Sequence, residues 1–455
     1  MNAAAPPPIA PGAVPILGHI PHLARNPLAF FQQLQRYGPL TRIRLGSRAA
    51  YVVTQPDLVR RMLIHDHKSF DKGGPLYDKV RAVTGNGLIT CPAHEHSRQR
   101  PLMQPAFHPA RFPRYTEIMR DSVAEVCDTW RPGQTVPLTQ ELLRLTALVT
   151  SRTLVSAPQG APAAAQVAES FPAIAQGLYW RMMIPGSVFP KIPFPVNRRF
   201  DRHFALTRAA LDDVITHYRT TEADYGDLLS MVVAACEEEP DPQEAVYDQV
   251  VTILAAGMET TAATTVWMLR LLSRHPHVMA KVQAELDDVL EGRLPGHDDI
   301  PLLPYTQNVL TETLRLYPSG WLVSRVATAD VHWEAGHIPA GADVFFSPYA
   351  LHRVPEIFPD PEFFDPDRWS PERATTVQRQ GFLGFGAGRR KCIGDDFGIT
   401  GATIAVATIL SRWRLHHKRT SSKPTPRIVL MPPPTPAVLE PRPVRRLSQL
   451  GGGPR

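Results

Sequence analysis

The sequence predicts a mainly α-helical fold with small β-sheets. Apolar residues recur with helical spacing over most of the stretch from about residue 56 to residue 317. Short segments that alternate between apolar and polar residues lie outside this stretch, near the N-terminus and after Pro318. A third observation is the proline-free segment from Glu244 to Arg274, which at 1.5 Å per residue would form a helix of roughly 45 Å. We therefore expect one long central helix surrounded by shorter ones.

The N-terminal part begins with residues 1–13, which are rich in proline and alanine and are expected to be a flexible lead-in. A helix is predicted in HLARNPLAFFQQLQRYG, and two paired strands are predicted in LTRIRLGSRAAYVVT, around its Gly-Ser pair. No internal repeat or Gly/Ser-rich linker divides the chain that follows, so residues 14–440 are expected to form a single domain. The basic stretch 441–455 is expected to be a flexible tail.

The middle of the chain predicts a series of helices, which include QPDLVRRMLIHD, YTEIMRDSVAEVCDTW, LTQELLRLTALVTSRTLV, HVMAKVQAELDDVLEG and YTQNVLTETLRLYP. Past Pro318 the pattern changes to short strands, as in VHWEAGHIPAGADVFFSPY, and to Pro/Asp-rich turns, as in FPDPEFFDPDRW. One last helix is predicted in DDFGITGATIAVATILSRWRL.

The central segment is apolar nearly all round, and some twenty residues from Val250 to Leu272 would be long enough to span a bilayer. Glu259 in its middle would make insertion costly, and its start lacks a cationic flank. We therefore expect a buried helix in which Glu259, Thr260 and Thr261 are polar groups that need partners or a function. The start of the chain also lacks a cationic segment followed by an apolar core, so neither a signal peptide nor a membrane anchor is predicted, and a cytoplasmic location is expected.

Composition excludes several classes of protein. With 43% hydrophobic and 20% charged residues, the chain is expected to be globular. Its four cysteines are widely scattered, which argues against a disulfide framework or a structural zinc site. The net charge is +6, but acidic residues are interspersed with the basic ones and no basic face is interleaved with aromatics, so nucleic-acid binding is not expected.

The segment FGAGRRKCIG, residues 385–394, places one cysteine among three glycines and three consecutive cations. The glycines allow the backbone to approach a large flat ligand, and the cations and the following helix start favour a thiolate. A buried inert cysteine is the ordinary alternative. A nucleophile would need a histidine base, and neither a protease signature nor a phosphate-binding Gly-Lys-Ser/Thr is present. A thiolate ligand of haem iron fits these residues best.

The same segment resembles the cysteine-ligand loop of the cytochrome P-450 haem-thiolate monooxygenases, with Phe385, Gly388, Arg390, Cys392 and Gly394 at the matching positions. Three further segments resemble family motifs in the family's order. They are AGMETT at 256–261, ETLR at 312–315 and PDRW at 366–369.

The resemblance implies the cytochrome P-450 fold, with haem b between the long central helix and the cysteine loop and with Cys392 as the iron ligand. It assigns oxygen activation to Glu259, as a proton relay, and to Thr260. It further implies a buried structural network of Glu312, Arg315 and Arg368, and a set of cofactor-binding residues that comprises His96, Arg100, Arg325, Phe385, Arg390 and Cys392.

Apolar segments suggest a hydrophobic substrate, because no charge near the expected pocket could pair with an anion. The pocket residues expected from the resemblance are Leu88, Ala255, Ala256, Met258, Trp321, Leu322 and Val323. The segments FDKGGPLYDKV, RMMIPGSVFPKIPFPVNRRF and QPAFHPARF also resemble those of actinobacterial members that oxidise cyclic sesquiterpenes. This resemblance implies a pentalenene-like substrate, secondary metabolism and antibiotic biosynthesis.

Electrons are expected from outside, because the chain has no flavin or nicotinamide fingerprint, and the cations beside Cys392 suit a ferredoxin served by a ferredoxin reductase. Two alternatives stay open at this stage. One is a P-450 that hydroxylates a fatty acid or macrolide, and the other is a non-catalytic haem sensor or carrier.

Overall fold

The computed structural model describes residues 6–157, 160–184, 189–221, 225–418, 420–421 and 423–443. These residues form sixteen α-helices. In chain order the helices are α1 Ile20–Arg25, α2 Pro27–Leu34, α3 Pro56–Arg60, α4 Gly74–Thr84, α5 Ala93–Met103, α6 Phe112–Asp128, α7 Leu138–Leu154, α8 Gly160–Met183, α9 Pro195–Thr221, α10 Leu228–Cys236, α11 Pro242–Arg274, α12 Pro276–Leu290, α13 Pro304–Leu316, α14 Pro348–Leu351, α15 Thr376–Gly381 and α16 Asp395–Arg412.

The described strands are short and form small sheets. They are β1 Leu40–Leu45, β2 Arg48–Val53, β3 Phe70–Asp71, β4 Thr135–Pro137, β5 Val323–Ala327, β6 Val331–Trp333, β7 Gly336–Ile338, β8 Asp343–Phe346, β9 Trp413–His417, β10 Thr425–Pro426, β11 Leu430–Met431 and β12 Pro436–Pro441. The largest sheet has the order β1-β2-β8-β5-β3, a second has the order β4-β12-β9, and β6–β7 and β10–β11 are two-stranded. The predicted fold class, mainly α with small sheets, is therefore confirmed.

The predicted N-terminal strand pair is an antiparallel hairpin in which Leu40 faces Val53 and Leu45 faces Arg48. Gly46 begins its turn with a φ of +66°, a conformation that side-chain-bearing residues rarely adopt. Strand β8 adds to β2 in parallel, and β5 adds to β8, so that segments far apart in sequence share one sheet.

The long helix α11 crosses the middle of the molecule and packs against α7, α10, α13 and α16. Its first turn is capped by the Asp241 side chain, which accepts from the Glu244 N–H, and Pro242 occupies a first-turn position. It ends at Arg274, before His275 and Pro276, as the sequence predicts. This helix is long and apolar enough to cross a membrane by length and composition, but 61% of its most apolar window is buried inside the fold.

Two boundaries differ from the expectation. Within the predicted flexible lead-in, Ala10 N–H donates to the Arg42 carbonyl at 2.9 Å and Arg42 N–H donates to the Pro8 carbonyl at 2.8 Å, so residues 8–10 run along β1. The last helix ends at Arg412, because the chain turns there into β9, whose partner β12 comes from the end of the described chain. The predicted tail lies outside the described residues from residue 444 onward.

Candidate active site

A large cavity lies between α11 on one side and the loop 383–394 on the other. It contains about 1690 Å³ of atom-free space, including its opening to solvent. Segments from α5, the α4–α5 connection, α13 and the start of β5 complete its walls. The apolar side chains that line it include Leu88, Ile89, Met103, Phe107, Leu310, Leu314, Val323, Phe346, Phe385 and Phe397.

The loop that carries Cys392 is held by its own backbone. Cys392 N–H donates to the Phe385 carbonyl at 2.9 Å, and Gly386 N–H donates to the Leu383 carbonyl at 3.0 Å. Gly388 has a φ of +66°, and a Cβ there would lie 2.1 Å from the Leu63 carbonyl oxygen, so the turn requires glycine at this position. The chain then enters α16, and the Cys392 side chain is left facing the cavity.

The Cys392 thiol is exposed because it faces this cavity, yet protein atoms surround it on its other sides. This burial raises its pKa, whereas a hydrogen bond from the Gly394 backbone and the charges of Arg100 and Lys391 lower it. The expectation that the loop cations favour the thiolate is thus met only in part. Lys391 also forms an ion pair with Asp395, and Arg390 points away from the sulfur.

Cationic side chains converge beside the cavity from separate parts of the chain. Arg390 donates to Asp71 at 3.1 Å and to the Cys91 carbonyl at 2.9 Å, while Lys72 donates to the Ile89 carbonyl at 2.7 Å. Burial places the pKa of Lys72 well below its usual value, and the charges of Arg325 and Arg390 lower it further. The positive charges at this end of the cavity are therefore not fully balanced by acidic groups of the protein. This imbalance favours an anionic ligand.

The three other expected cofactor-binding residues lie at the same end. Burial, reinforced by Arg390 and Lys72, lowers the pKa of His96 to about 3, so its imidazole is neutral at ordinary pH. Arg100 donates to the Lys391 carbonyl at 2.6 Å. Arg325 is buried behind the lining residues, where burial lowers its pKa. Lys72 was missed by the sequence reasoning, and no local motif distinguishes it, because only the pairing of β3 with β5 brings it beside Arg325.

These residues fit haem, which is flat, largely apolar and carries two carboxylates. The apolar walls would accept the ring, Cys392 would face its iron, and the cations would pair with the carboxylates. The site therefore defines the class of haem-thiolate proteins.

The opposite wall is one face of α11, formed by Ala256, Gly257, Thr260, Thr261 and Thr264. The Thr260 hydroxyl donates to the Ala256 carbonyl at 2.5 Å. The Thr260 carbonyl in turn accepts from the hydroxyls of Thr264, at 2.8 Å, and Ser319, at 3.2 Å. The cavity thus has a group of hydroxyls on the side facing Cys392.

Glu259, the expected proton relay, is not among the residues that line the cavity. Successive residues of a helix point about 100° apart, so Glu259 turns away from the face that Thr260 occupies. Its carboxyl is buried, and burial raises its pKa to about 7, while Arg427 lowers it.

The expected structural network is assembled on α13 and the 3₁₀ turn at Pro366–Trp369. Arg315 makes a two-point ion pair with Glu312, with both N–O distances at 2.8 Å, and Arg368 Nε lies 3.5 Å from the same carboxylate. Trp369 Nε1 and the Asp365 backbone N–H also donate to Glu312, at 2.9 and 3.0 Å. Glu312 and Arg315 are fully buried.

His352 connects this network to the cysteine loop and was not anticipated from the sequence. Its Nδ1 lies 3.0 Å from the Arg315 carbonyl, and its Nε2 accepts from the Leu383 N–H at 2.8 Å. A neutral imidazole satisfies both bonds, and burial lowers its pKa to about 3. His352 and Leu383 are 31 positions apart in the sequence, so no local sequence pattern predicts their contact.

The expected pocket residues divide into two groups. Leu88, Ala256 and Val323 line the cavity. Ala255 and Met258 do not, because they lie on other faces of α11, and Met258 packs in the core beneath α10. Trp321 and Leu322 do not line it either, because they pack toward α2, where Trp321 Nε1 donates to the Arg427 carbonyl at 2.8 Å.

Comparison with known proteins agrees with this class. The family model described as Cytochrome P450 matches residues 7–439. Pentalenene oxygenase of Streptomyces avermitilis is 41% identical over 89% of this chain and 90% of its own length. From Streptomyces melanosporofaciens, cyclooctatin synthase is 41% identical over 95% of each chain, and cyclooctat-9-en-7-ol 5-monooxygenase is 42% identical over 89% of each. The crystal structure of the cytochrome P450DA heme domain superposes with a TM-score of 0.86 at 26% identity, covering 97% of this chain and 99% of that one.

The chain belongs to the cytochrome P450 family. It is an oxidoreductase of the monooxygenase type, with haem whose iron is held by a cysteine thiolate. Its reaction uses O₂, a hydrophobic substrate and electrons from redox partners.

Proposed function

We propose that this enzyme hydroxylates, or oxidises further, a terpene hydrocarbon such as a pentalenene-like sesquiterpene, in the secondary metabolism that includes antibiotic biosynthesis. The observation that carries the proposal is the distribution of charge in the cavity. Among the described residues that line it, the cations and His96 belong to the end beside Cys392, whereas the side toward α11 presents apolar groups, hydroxyls and the uncharged Gln249 amide. Relatives named for pentalenene and cyclooctat-9-en-7-ol support this class of substrate.

The two alternatives are less well supported. A fatty acid or a macrolide would need a cation, or polar anchors beyond the Gln249 amide, on the α11 side, away from the cations already required by the haem carboxylates. A sensor or carrier would have no use for the hydroxyl group of Thr260 facing the thiol across the cavity.

In the proposed site, Cys392 ligates the iron, while Lys72, His96, Arg100, Arg325 and Arg390 form the carboxylate-binding end. The bound haem supplies the activation of O₂. Phe385 lines the cavity from the cysteine loop and would pack against the cofactor there.

Proton delivery belongs to α11 in this proposal. Thr260 holds a proton at Oγ1, now donated to the Ala256 carbonyl and free to be redirected into the cavity by rotation. Glu259, with a pKa of about 7, can exchange protons near neutral pH and would act from behind the cavity face.

The first test of the proposal combines two spectra. The reduced protein with carbon monoxide should show the thiolate-type Soret band, and titration with pentalenene should shift the haem spin state, whereas a saturated fatty acid should not. A thiolate band with no response to any cyclic terpene, but with tight fatty-acid binding, would reject the terpene proposal and favour the alternative substrate class.

Thr260→Ala should uncouple the reaction. Because the hydroxyl to which proton delivery is assigned is lost, we expect product formed per reductant consumed to fall about tenfold, with hydrogen peroxide accounting for the difference. The measurement compares product, peroxide and reductant in one assay. Thr265→Ala is the matched control, since Thr265 makes the same kind of bond, to the Thr261 carbonyl at 2.8 Å, but does not line the cavity. Equal coupling in the two variants would contradict the assignment.

The electron donor is proposed to be a ferredoxin reduced by a ferredoxin reductase, in the cytoplasm. Arg389 and Lys391 are exposed on the cysteine loop and would give an acidic donor a short route to the haem.

A further inference from the structure

The segment 85–91, between α4 and α5, forms part of the cavity wall through Leu88 and Ile89. Two neighbouring side chains of α11 hold its backbone. Asp248 Oδ2 accepts from the Asn86 N–H at 2.7 Å, and Gln249 Oε1 accepts from the Leu88 N–H at 3.2 Å. Leu88, which lines the cavity, is therefore hydrogen-bonded directly to a side chain of the central helix.

A third partner closes the arrangement. Gln249 Nε2 donates to Gln99 Oε1 at 3.0 Å, and Gln99 Nε2 donates to the Asn86 carbonyl at 3.1 Å. Helix α11, helix α5 and the segment 85–91 are thus joined in one set of hydrogen bonds. We call Asp248 and Gln249, with these bonds, the loop clamp.

Two glycines permit the close approach that the loop clamp requires. A Cβ on Gly85 would lie 1.6 Å from Asp248 Oδ1, and a Cβ on Gly87 would lie 2.2 Å from Thr252 Oγ1. Gly85 also has a φ of +63°. The backbone of the segment therefore lies against α11 at a distance that side-chain-bearing residues could not reach.

The loop clamp lies between two spaces. Gln249 lines the inner cavity and also an outer cleft, which reaches Asp248 as well. Both side chains are nevertheless almost fully buried, at 3% and 9% exposure. Asp248 Oδ1 has no hydrogen-bond partner among the described residues.

The charge on Asp248 is only partly compensated. Burial raises its pKa to about 6, with Glu244 and Glu95 adding to the shift, while the Asn86 N–H and Arg208 oppose it. An apolar residue at position 248 would avoid the free-energy cost of desolvating a carboxylate. Packing alone therefore does not explain why this residue is an aspartate.

We propose that Asp248 and Gln249 are positioning residues that fix Leu88 and Ile89 against the cavity and so determine which bulky hydrophobic ligands fit. Without the loop clamp, the backbone N–H groups of Asn86 and Leu88 lose their acceptors and the segment moves away from α11. That the bulky ligand is a terpene rests on the proposed function, whereas the role of Asp248 and Gln249 in holding the segment 85–91 does not.

The first experiment measures amide hydrogen exchange of the peptide that contains residues 85–91 in the haem-loaded enzyme. We expect exchange about tenfold faster in Asp248→Ala and Gln249→Ala, because each loses one acceptor worth on the order of 1 kcal/mol. Asp248→Asn keeps an oxygen acceptor and should restore slow exchange. Glu285→Ala is the matched control, since Glu285 also accepts backbone N–H groups, from Tyr305 and Thr306, away from the cavity, so its loss should leave exchange of residues 85–91 slow.

The second experiment uses two ligands that bind haem iron, imidazole and a phenyl-substituted imidazole. The variants with fast exchange should bind the bulky ligand about tenfold more weakly and imidazole unchanged. Unchanged exchange in both alanine variants would overturn the loop clamp. Fast exchange with an unchanged affinity ratio would overturn its role in selectivity. Neither result depends on terpene binding, so failure of the pentalenene titration in the unsubstituted enzyme would reject the proposed substrate alone.

Discussion

Glu312→Ala should yield a protein that retains almost no haem. The substitution removes the carboxylate that pairs with Arg315 and Arg368, whose side chains are 0% and 6% exposed. It also removes the acceptor of the Trp369 and Asp365 donors. Leaving a buried charge without its partner costs roughly 3–5 kcal/mol, a large part of the 5–15 kcal/mol that stabilises a typical fold.

The loss of the Glu312 carboxylate should affect haem binding through a series of contacts that begins at Arg315. Arg315 bonds the carbonyls of Pro361 and Phe363, at 2.7 and 3.1 Å, and its own carbonyl contacts His352. His352 then accepts from Leu383 N–H, in the segment that leads to Cys392. Displacement of Arg315 therefore removes the support of the cysteine loop.

Haem content per chain and the thermal unfolding midpoint of the purified variant provide the measurement. Glu117→Ala is the control, because Glu117 forms an ion pair of the same i,i+3 spacing with Arg114, at 3.1 Å, but both side chains are exposed, and we expect a change below about 1 kcal/mol. If Glu312→Ala binds haem fully and unfolds like the parent chain, the network does not hold the loop.

The sequence was most informative where the physical cause is local. The β1–β2 hairpin follows from alternation around Gly46, and the ends of α11 follow from Asp241, Pro242 and the proline after His275. The spacing of Glu312 and Arg315 on one helix turn likewise allows their contact to be predicted. In each case the cause lies within a few residues of its effect.

The sequence was less informative where side-chain direction or distant pairing decides which residues reach the cavity. Glu259 is next to Thr260 in sequence yet faces another side of α11, and Trp321 turns from the cavity to pack against Phe31. Lys72 and His352 reach the site only through sheet pairing and a long-range contact. Motifs identified segments correctly, but they did not show which side chains of a segment face the cavity.

The largest expected effect is that of Cys392→Ser. Serine preserves the size of the side chain and the backbone bond from residue 392 to the Phe385 carbonyl, so the loop should keep its shape. A hydroxyl does not ionise as a thiol does and cannot supply the electron donation of a thiolate to iron. We expect the thiolate-type Soret band to disappear and product formation to fall by more than about a thousandfold.

Cys91→Ser is the control for Cys392→Ser. It tests whether the thiolate band requires Cys392 in particular or any thiol near the cations. Cys91 is fully buried, its Sγ lies 3.8 Å from Arg390 Nη1, and burial raises its pKa, so it is a thiol beside a loop cation that does not face the cavity. That variant should keep the thiolate band. The reverse outcome, in which the band survives Cys392→Ser and is lost in Cys91→Ser, would identify Cys91 as the iron ligand. The loop geometry argues against this, because Cys392 is the described cysteine that lines the cavity opposite Thr260.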